Sequence, residues 1–305
     1  HTRLSIVTGV QTCALPISER EAGVCSAGAG LVARLQSRLG YDARALCGAP
    51  MPISNSAEFF AALKRRPHTF YIIHYSCESL YDDNTGLSPR ITSIAVKHYS
   101  SGQTVSFSAH IVAEQLGIAR EQIHEQYDEV EARLLKDFFS FARERKGDTW
   151  VHWNMDNIAY GFEHIEHRYE CLLKETPPVV PVEQRVNLSW MISDRYGTDY
   201  APHPKMLKLM EQNGERDRHF LTGLEEIDAF KKHEFIRMHM SVLAKVNFFR
   251  DVMDKASRGK LKTTSNSLLY HADQLLEGRG ARFISLAGNA ASVGVVIWQV
   301  ASILL

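Results

Sequence analysis

The apolar positions of this chain change period several times, and each change marks an element. Asn55-x-x-Glu58 has the pattern of a capping box and opens a helix with Phe59, Phe60 and Leu63 on one side. Pro67 ends it. Residues 69–76 (TFYIIHYS) are β-rich and nearly continuously apolar, as in a central strand buried on both faces. Residues 82–86 (DDNTG) carry turn chemistry. Residues 91–96 and 104–109 read as two further strands, joined by a tight turn at Ser101-Gly102, so the three strands form a meander. Residues 128–145 predict an amphipathic helix, with Val130, Leu134, Leu135, Phe138, Phe139 and Phe141 at helical spacing. Gly147 closes it. Residues 149–154 (TWVHWN) read as a fourth strand and 157–174 as a helix.

Pro177, Pro178 and Pro181 then mark a linker. Everything beyond it reads as helix, at 188–195, 204–212, 224–232, 235–255 and 265–277. Near the start, residues 26–39 predict a short helix. Gly28-Ala-Gly30-x-x-Ala33 lacks the preceding strand that a dinucleotide loop requires, so it reads as a plain helix start.

Composition changes this picture little. The 305 residues are 45% hydrophobic and 23% charged, with no formal net charge, so any nucleic-acid surface has to be a local patch. The five cysteines include no Cys-x-x-Cys, which excludes a zinc or disulfide framework and points to a reducing cytoplasm. His74 and Cys77 lie three apart on a strand and so face opposite ways, which predicts a buried thiol rather than a nucleophile pair.

Strand, strand, strand, helix, strand, helix is an α/β order. Within it, Tyr75-Ser-Cys-Glu-Ser-Leu80, then Thr85-Gly-Leu, then Ile91-Thr-Ser-Ile-Ala-Val96, resembles the opening of the DEDD-type 3′→5′ exonucleases. Val151-His-Trp-Asn-Met-Asp156 followed by Gly161-Phe162 resembles that family's second motif. The resemblance spans about residues 69–175 and implies a ribonuclease-H-like mixed sheet. It implies two divalent ions, Mg or Mn, about 3.5–4 Å apart and held by four carboxylates. Here Glu78 falls on a family acid, while Ser76, Ala159 and Ala244 fall on the other three. Ala244 is the fifth residue after His239; Asp251 and Asp254 lie further along the same helix, off the spacing. Asp156, nearly one helical turn before Ala159, is the acid placed to substitute. The chain is also similar to uncharacterised bacterial proteins that share the run HYSCESLYDD.

The run from Val7 to Ile17 resembles a translated sequencing adapter, so residues 1–17 are expected to be an artefact that replaces the true N-terminus. Without them the net charge falls to −1, because Arg3 is the single charged residue there. Residues 283–305 carry no charge over 23 positions, enough for a membrane-spanning helix. The basic flank Lys255, Arg258, Lys260, Lys262, Arg279 and Arg282 keeps the body cytoplasmic on the inner face.

Glu163-His-Ile-Glu-His-Arg168 reads as a solvated helix face rather than a metal site. Lys64-Arg65-Arg66, Arg216-x-Arg218-His219 and Lys231-Lys232 form short basic clusters. With Trp150, Trp153 and Tyr160 they suggest a phosphate-and-stacking groove.

The expected organisation is an artefact at 1–17, N-terminal helices at 18–66, an exonuclease-like α/β core at 67–176, a helical region at 177–280 and a hydrophobic helix at 283–305. The expected function is a catalytically impaired module that binds nucleic acid or a partner protein at the membrane, with no cofactor. The alternative is a metal-dependent nuclease with a rewired site of Glu78, Asp156, His152 and His239, in which Glu78 and Asp156 hold the metal.

Overall fold

The computed structural model describes residues 53–79, 88–156 and 159–266. The expected artefact, the helix at 26–39, the turn at 82–86 and the hydrophobic helix at 283–305 lie outside them. Among the described residues there are five strands and eight α-helices. Helix α1 (Ser56–Arg65) leads into β1 (Phe70–Cys77), β2 (Ile91–His98) and β3 (Thr104–Ser108). Then come α2 (Ala109–Leu116), α3 (Tyr127–Arg143), β4 (Thr149–His152) and α4 (Phe162–Leu173). The chain continues through β5 (Arg185–Asn187), α5 (Leu188–Tyr196), α6 (Lys205–Asn213), α7 (Gly223–Lys231) and α8 (Phe235–Ser257).

The sheet order is β3-β2-β1-β4-β5. The meander pairs antiparallel, with Ile73 opposite Val96 and Val96 opposite Val105. β4 lies parallel to β1, and β5 parallel to β4. β1 is therefore the middle strand, and helices cover both its faces. Ile73, Tyr75, Ile94, Val96 and Trp150 form one core with α2, α3 and α4. Phe70, Ile72, Ala95, Val151 and Val186 form the other with α1, α5 and α8. This two-sided burial explains the unbroken apolar run at 69–76: alternation is the mark of a half-exposed strand, and β1 has no exposed side.

Local signals set most boundaries. Asn55 caps α1, accepting from the Glu58 backbone N–H at 2.9 Å. The Glu58 carboxylate reaches back to Ser54 rather than Asn55, so the box closes one residue early.

Three expectations are corrected. The third strand stops at Ser108, and residues 109–116 form α2; Gly117, at φ 73°, supplies its left-handed end and caps the Ala113 and Glu114 carbonyls. The strand reading ran one residue into this helix and assigned nothing to the rest of it, because eight residues after Ser108 give little room for a helical period to stand out. The helix expected from 157 begins at Phe162, after an antiparallel bridge between Asp156 and Gly161. The region from 177 opens with strand β5 before its helices, and three residues are too few to display alternation. No helix among the described residues is long and apolar enough to cross a membrane.

One buried ion pair ties a helical layer to the sheet. Glu131 on α3 is fully buried and takes two bonds from Arg168 on α4, at 2.9 and 2.5 Å. It also accepts the Ile91 N–H at 2.9 Å, where β2 begins. Burial raises its carboxyl above the usual range, and the bonds from Arg168 and Ile91 oppose that rise. The run expected to be a solvated face is thus anchored: Arg168 grips Glu131, and Glu163 and Glu166 both hold Arg185 on β5. Arg168→Met should destabilise the protein by about 3–5 kcal/mol, because it strands a buried carboxylate. Adding Glu131→Leu should recover part of that loss. Urea denaturation of both variants is the check, and a loss below about 1 kcal/mol in the single variant would refute a structural role for the pair.

Candidate functional site

In an open α/β sheet, ligands bind beyond the carboxyl ends of the strands, where neighbouring strands connect in opposite directions. β1 has β2 on one side and β4 on the other, and a cavity of about 460 Å³ opens there. Its wall includes His74 from β1, Trp153 and Asn154 just past β4, and Tyr160. Met206 and Leu207 from α6, and Phe220 and Leu221 before α7, make much of it apolar.

Glu226 on α7 and Lys245 on α8 also line the cavity, and both are almost wholly buried. Lys245 Nζ donates to Glu226 Oε1 at 2.7 Å, and Ser241 Oγ donates to the same oxygen at 2.9 Å. Ser241 Oγ in turn accepts the Leu221 N–H at 3.1 Å. The Thr222–Glu225 capping box fixes where α7 begins and so places Glu226 in its first turn. The Lys245 ammonium also sits 5.3 Å from the Phe220 ring centre. Burial first, then the Lys245 charge, hold His74 well below the usual histidine range, so it is neutral.

The four residues singled out in the sequence are distributed differently. His152 and Asp156 share the wall of a second cavity of about 400 Å³, beside Glu163, Asn187 and Trp190. His152 is buried and its Nδ1 accepts the Met155 N–H at 3.1 Å; burial and then Arg185 push its pKa down to about 3. Asp156 Oδ2 accepts from Asn187 at 2.7 Å. Glu78, just past the end of β1, lies 3.9 Å from Arg90. His239 is buried against the sheet, bonded to Ser93 at 3.0 Å and Ser106 at 3.4 Å. Burial and then His110 lower it to about 4. Glu78 and His239 line neither cavity.

Among the described residues, no cluster of three or more His, Cys, Asp or Glu is arranged to hold a metal ion. His164 has both ring nitrogens engaged: Nε2 donates to the Pro89 carbonyl and Nδ1 accepts from Tyr75 Oη, each at 2.9 Å. Tyr75 Oη accepts the Gly161 N–H at 3.0 Å, so this relay fixes the start of α4 against β1. Cys77 is a buried free thiol donating to the Ser79 carbonyl, as expected. The stacking groove is corrected in part: Trp150 and Trp153 are buried in opposite cores, and Trp153 meets the cavity wall beside the half-buried Tyr160.

Sequence reasoning missed Glu226, Ser241 and Lys245. The available signal was Lys245 flanked by the apolar Val242 and Phe249, three and four residues away on one helix face. No family model, curated protein or solved structure matches the chain.

The buried histidines predict a pH dependence. His152, His164 and His239 have folded pKa values of about 3, 4 and 4, against about 6.5 when unfolded. Below 6.5 the unfolded chain binds more protons. Stability is therefore complete above about pH 6.5 and is lost as pH falls towards 4, by about 1 kcal/mol per pH unit per histidine. The urea midpoint should drop between pH 7 and 4.5, and drop less in His239→Gln. That variant separates the histidine effect from the buried carboxyls of Glu131 and Glu166, whose raised pKa values act in the opposite direction. A midpoint that stays constant from pH 7 to 4.5 would contradict the assignment.

Proposed function

We propose that this chain is a ribonuclease-H-like, exonuclease-like module that binds nucleic acid and lacks the two-metal cleavage of the family it resembles. The order of the core supports the first part: a three-strand meander, helices, a fourth strand parallel to the first and another helix. The observation that carries the second is what occupies the acid positions. Ser76 is buried, with its hydroxyl bonded to Thr92 at 2.5 Å. Ala159 and Ala244 have no carboxylate to offer. Glu78 stands alone among the four, facing Arg90. These residues do not fit a pair of hard divalent cations, which need several oxygen ligands each.

The acid-position residues Ser76, Glu78, Ala159 and Ala244 do not line the cavity, whose wall instead carries the Glu226–Lys245 pair, the half-buried Tyr160, Lys205 and His203. Lys205 with the aromatic Tyr160, Trp153 and Phe220 on this wall favours nucleic acid over a protein partner, because a lysine outside the Glu226 pair meets phosphate and every base has a π face. A tether to the inner membrane face rests on residues 283–305.

Full-length protein should bind a fluorescently labelled single-stranded oligonucleotide, weakening by at least about tenfold between 50 and 200 mM salt. It should not cut the strand with Mn²⁺ present. No salt-dependent binding would refute the module. Cleavage that disappears in Glu78→Ala would replace it with the rewired nuclease of Glu78, Asp156, His152 and His239. In carbonate extraction the intact protein should stay in the membrane fraction; its release would remove the tether.

A further inference from the structure

A buried ion pair is a poor device for stability, since well-packed apolar residues of the same volume serve as well or better. The Glu226–Lys245 pair is also not sealed in the core: both residues line the cavity beside His74 of β1. Both hydrogen bonds to the carboxylate converge on Oε1, so Oε2 takes none from the described residues. Lys245 has three N–H donors, of which one goes to Glu226. A free acceptor and free donors, held together by the pair itself, thus face a cavity with largely apolar walls. The pair has no net charge, which argues against a bare anion as the ligand. It matches a neutral group with a donor and an acceptor side by side.

We infer that this cavity takes the lactam edge, –NH–C(=O)–, of an oxo-nucleobase such as guanine or uracil. The ring N–H donates to Glu226 Oε2, and Lys245 Nζ donates to the ring carbonyl. Flat apolar ring atoms meet the Trp153, Met206, Leu207 and Phe220 walls. The neutral state of His74 keeps a second positive charge away from Lys245. About 460 Å³ is within the usual range of small-molecule sites and holds a base with its sugar. Choosing a nucleobase over other lactams rests on the nucleic-acid-binding reading above. The base can belong to a free nucleoside or to a nucleotide of a strand.

Calorimetric titration of the full chain with nucleosides tests this without altering the protein. Guanosine and uridine should bind. Adenosine, which has no ring N–H beside a carbonyl, should bind at least about tenfold more weakly, as should 1-methylguanosine and 3-methyluridine, whose ring N–H is blocked. Lys245→Met should weaken guanosine binding by about tenfold or more. Because that variant strands Glu226, the double variant Glu226→Leu with Lys245→Met is measured beside it, with thermal melts to confirm folding; it should lose the preference for guanosine over adenosine. Equal binding of guanosine and 1-methylguanosine, or no binding by any nucleoside, overturns the inference. An oligo-dA strand separates the two proposals. If it binds in a salt-dependent way while no lactam preference exists, the module stands and this site falls. If guanosine binds but no strand does, the site stands with a free nucleoside as ligand and the module falls.

Discussion

The constraint on which the rest depends is that β1 has no solvent face. It is the middle strand of five, with a helical layer on each side, yet it carries His74, Tyr75, Ser76 and Cys77 in sequence. A buried polar group without a partner costs more than a typical hydrogen bond returns, so each of these has to be answered from another element. Ser76 is answered by Thr92 across the ladder, Tyr75 by His164 and Gly161, and Cys77 by the Ser79 carbonyl. These demands bring Gly161–Phe162 and α4 against the strand's carboxyl end. His74 is the member of the set that reaches the cavity.

Paired charges follow the same logic at longer range. Glu131 with Arg168 joins α3 to α4 and to the start of β2. Arg185, on the edge strand, is held by two glutamates of α4. Glu226 with Lys245 joins α7 to α8. All three link separate elements, unlike the exposed Arg133–Asp137 and Lys232–Asp228 pairs, which are local i,i+4 contacts and contribute little. Two of the buried pairs are braces between layers. The third lines the cavity beside His74 with Glu226 Oε2 taking no bond from the described residues, whereas Arg185, on the second cavity, is held by two glutamates.

Much of the fold was legible along the chain. The three-strand meander, the long amphipathic helix and the four helices from 188 to 257 were readable because each repeats its period long enough to register. Ser108–Gly117 and Arg185–Asn187 were not, since one is a two-turn helix appended to a strand and the other is a three-residue strand. The polar residues of the cavity beside His74 were not readable either. Glu226 and Lys245 are 19 residues apart on different helices, and nothing local marks them as partners.

The sequence by itself therefore determined the three-strand meander, the long amphipathic helix and the two-sided burial of β1. Those follow from local periodicity and residue identity, which neighbours in the chain suffice to express. Only the tertiary structure decided which polar residues meet. It assigned His164 and Arg168 to bracing, seated Trp150 and Trp153 in opposite cores, and brought an ammonium and a carboxylate to the cavity beside β1. Such pairings depend on how helices cross the sheet, and that is fixed by packing across layers rather than by the spacing of residues in any one segment.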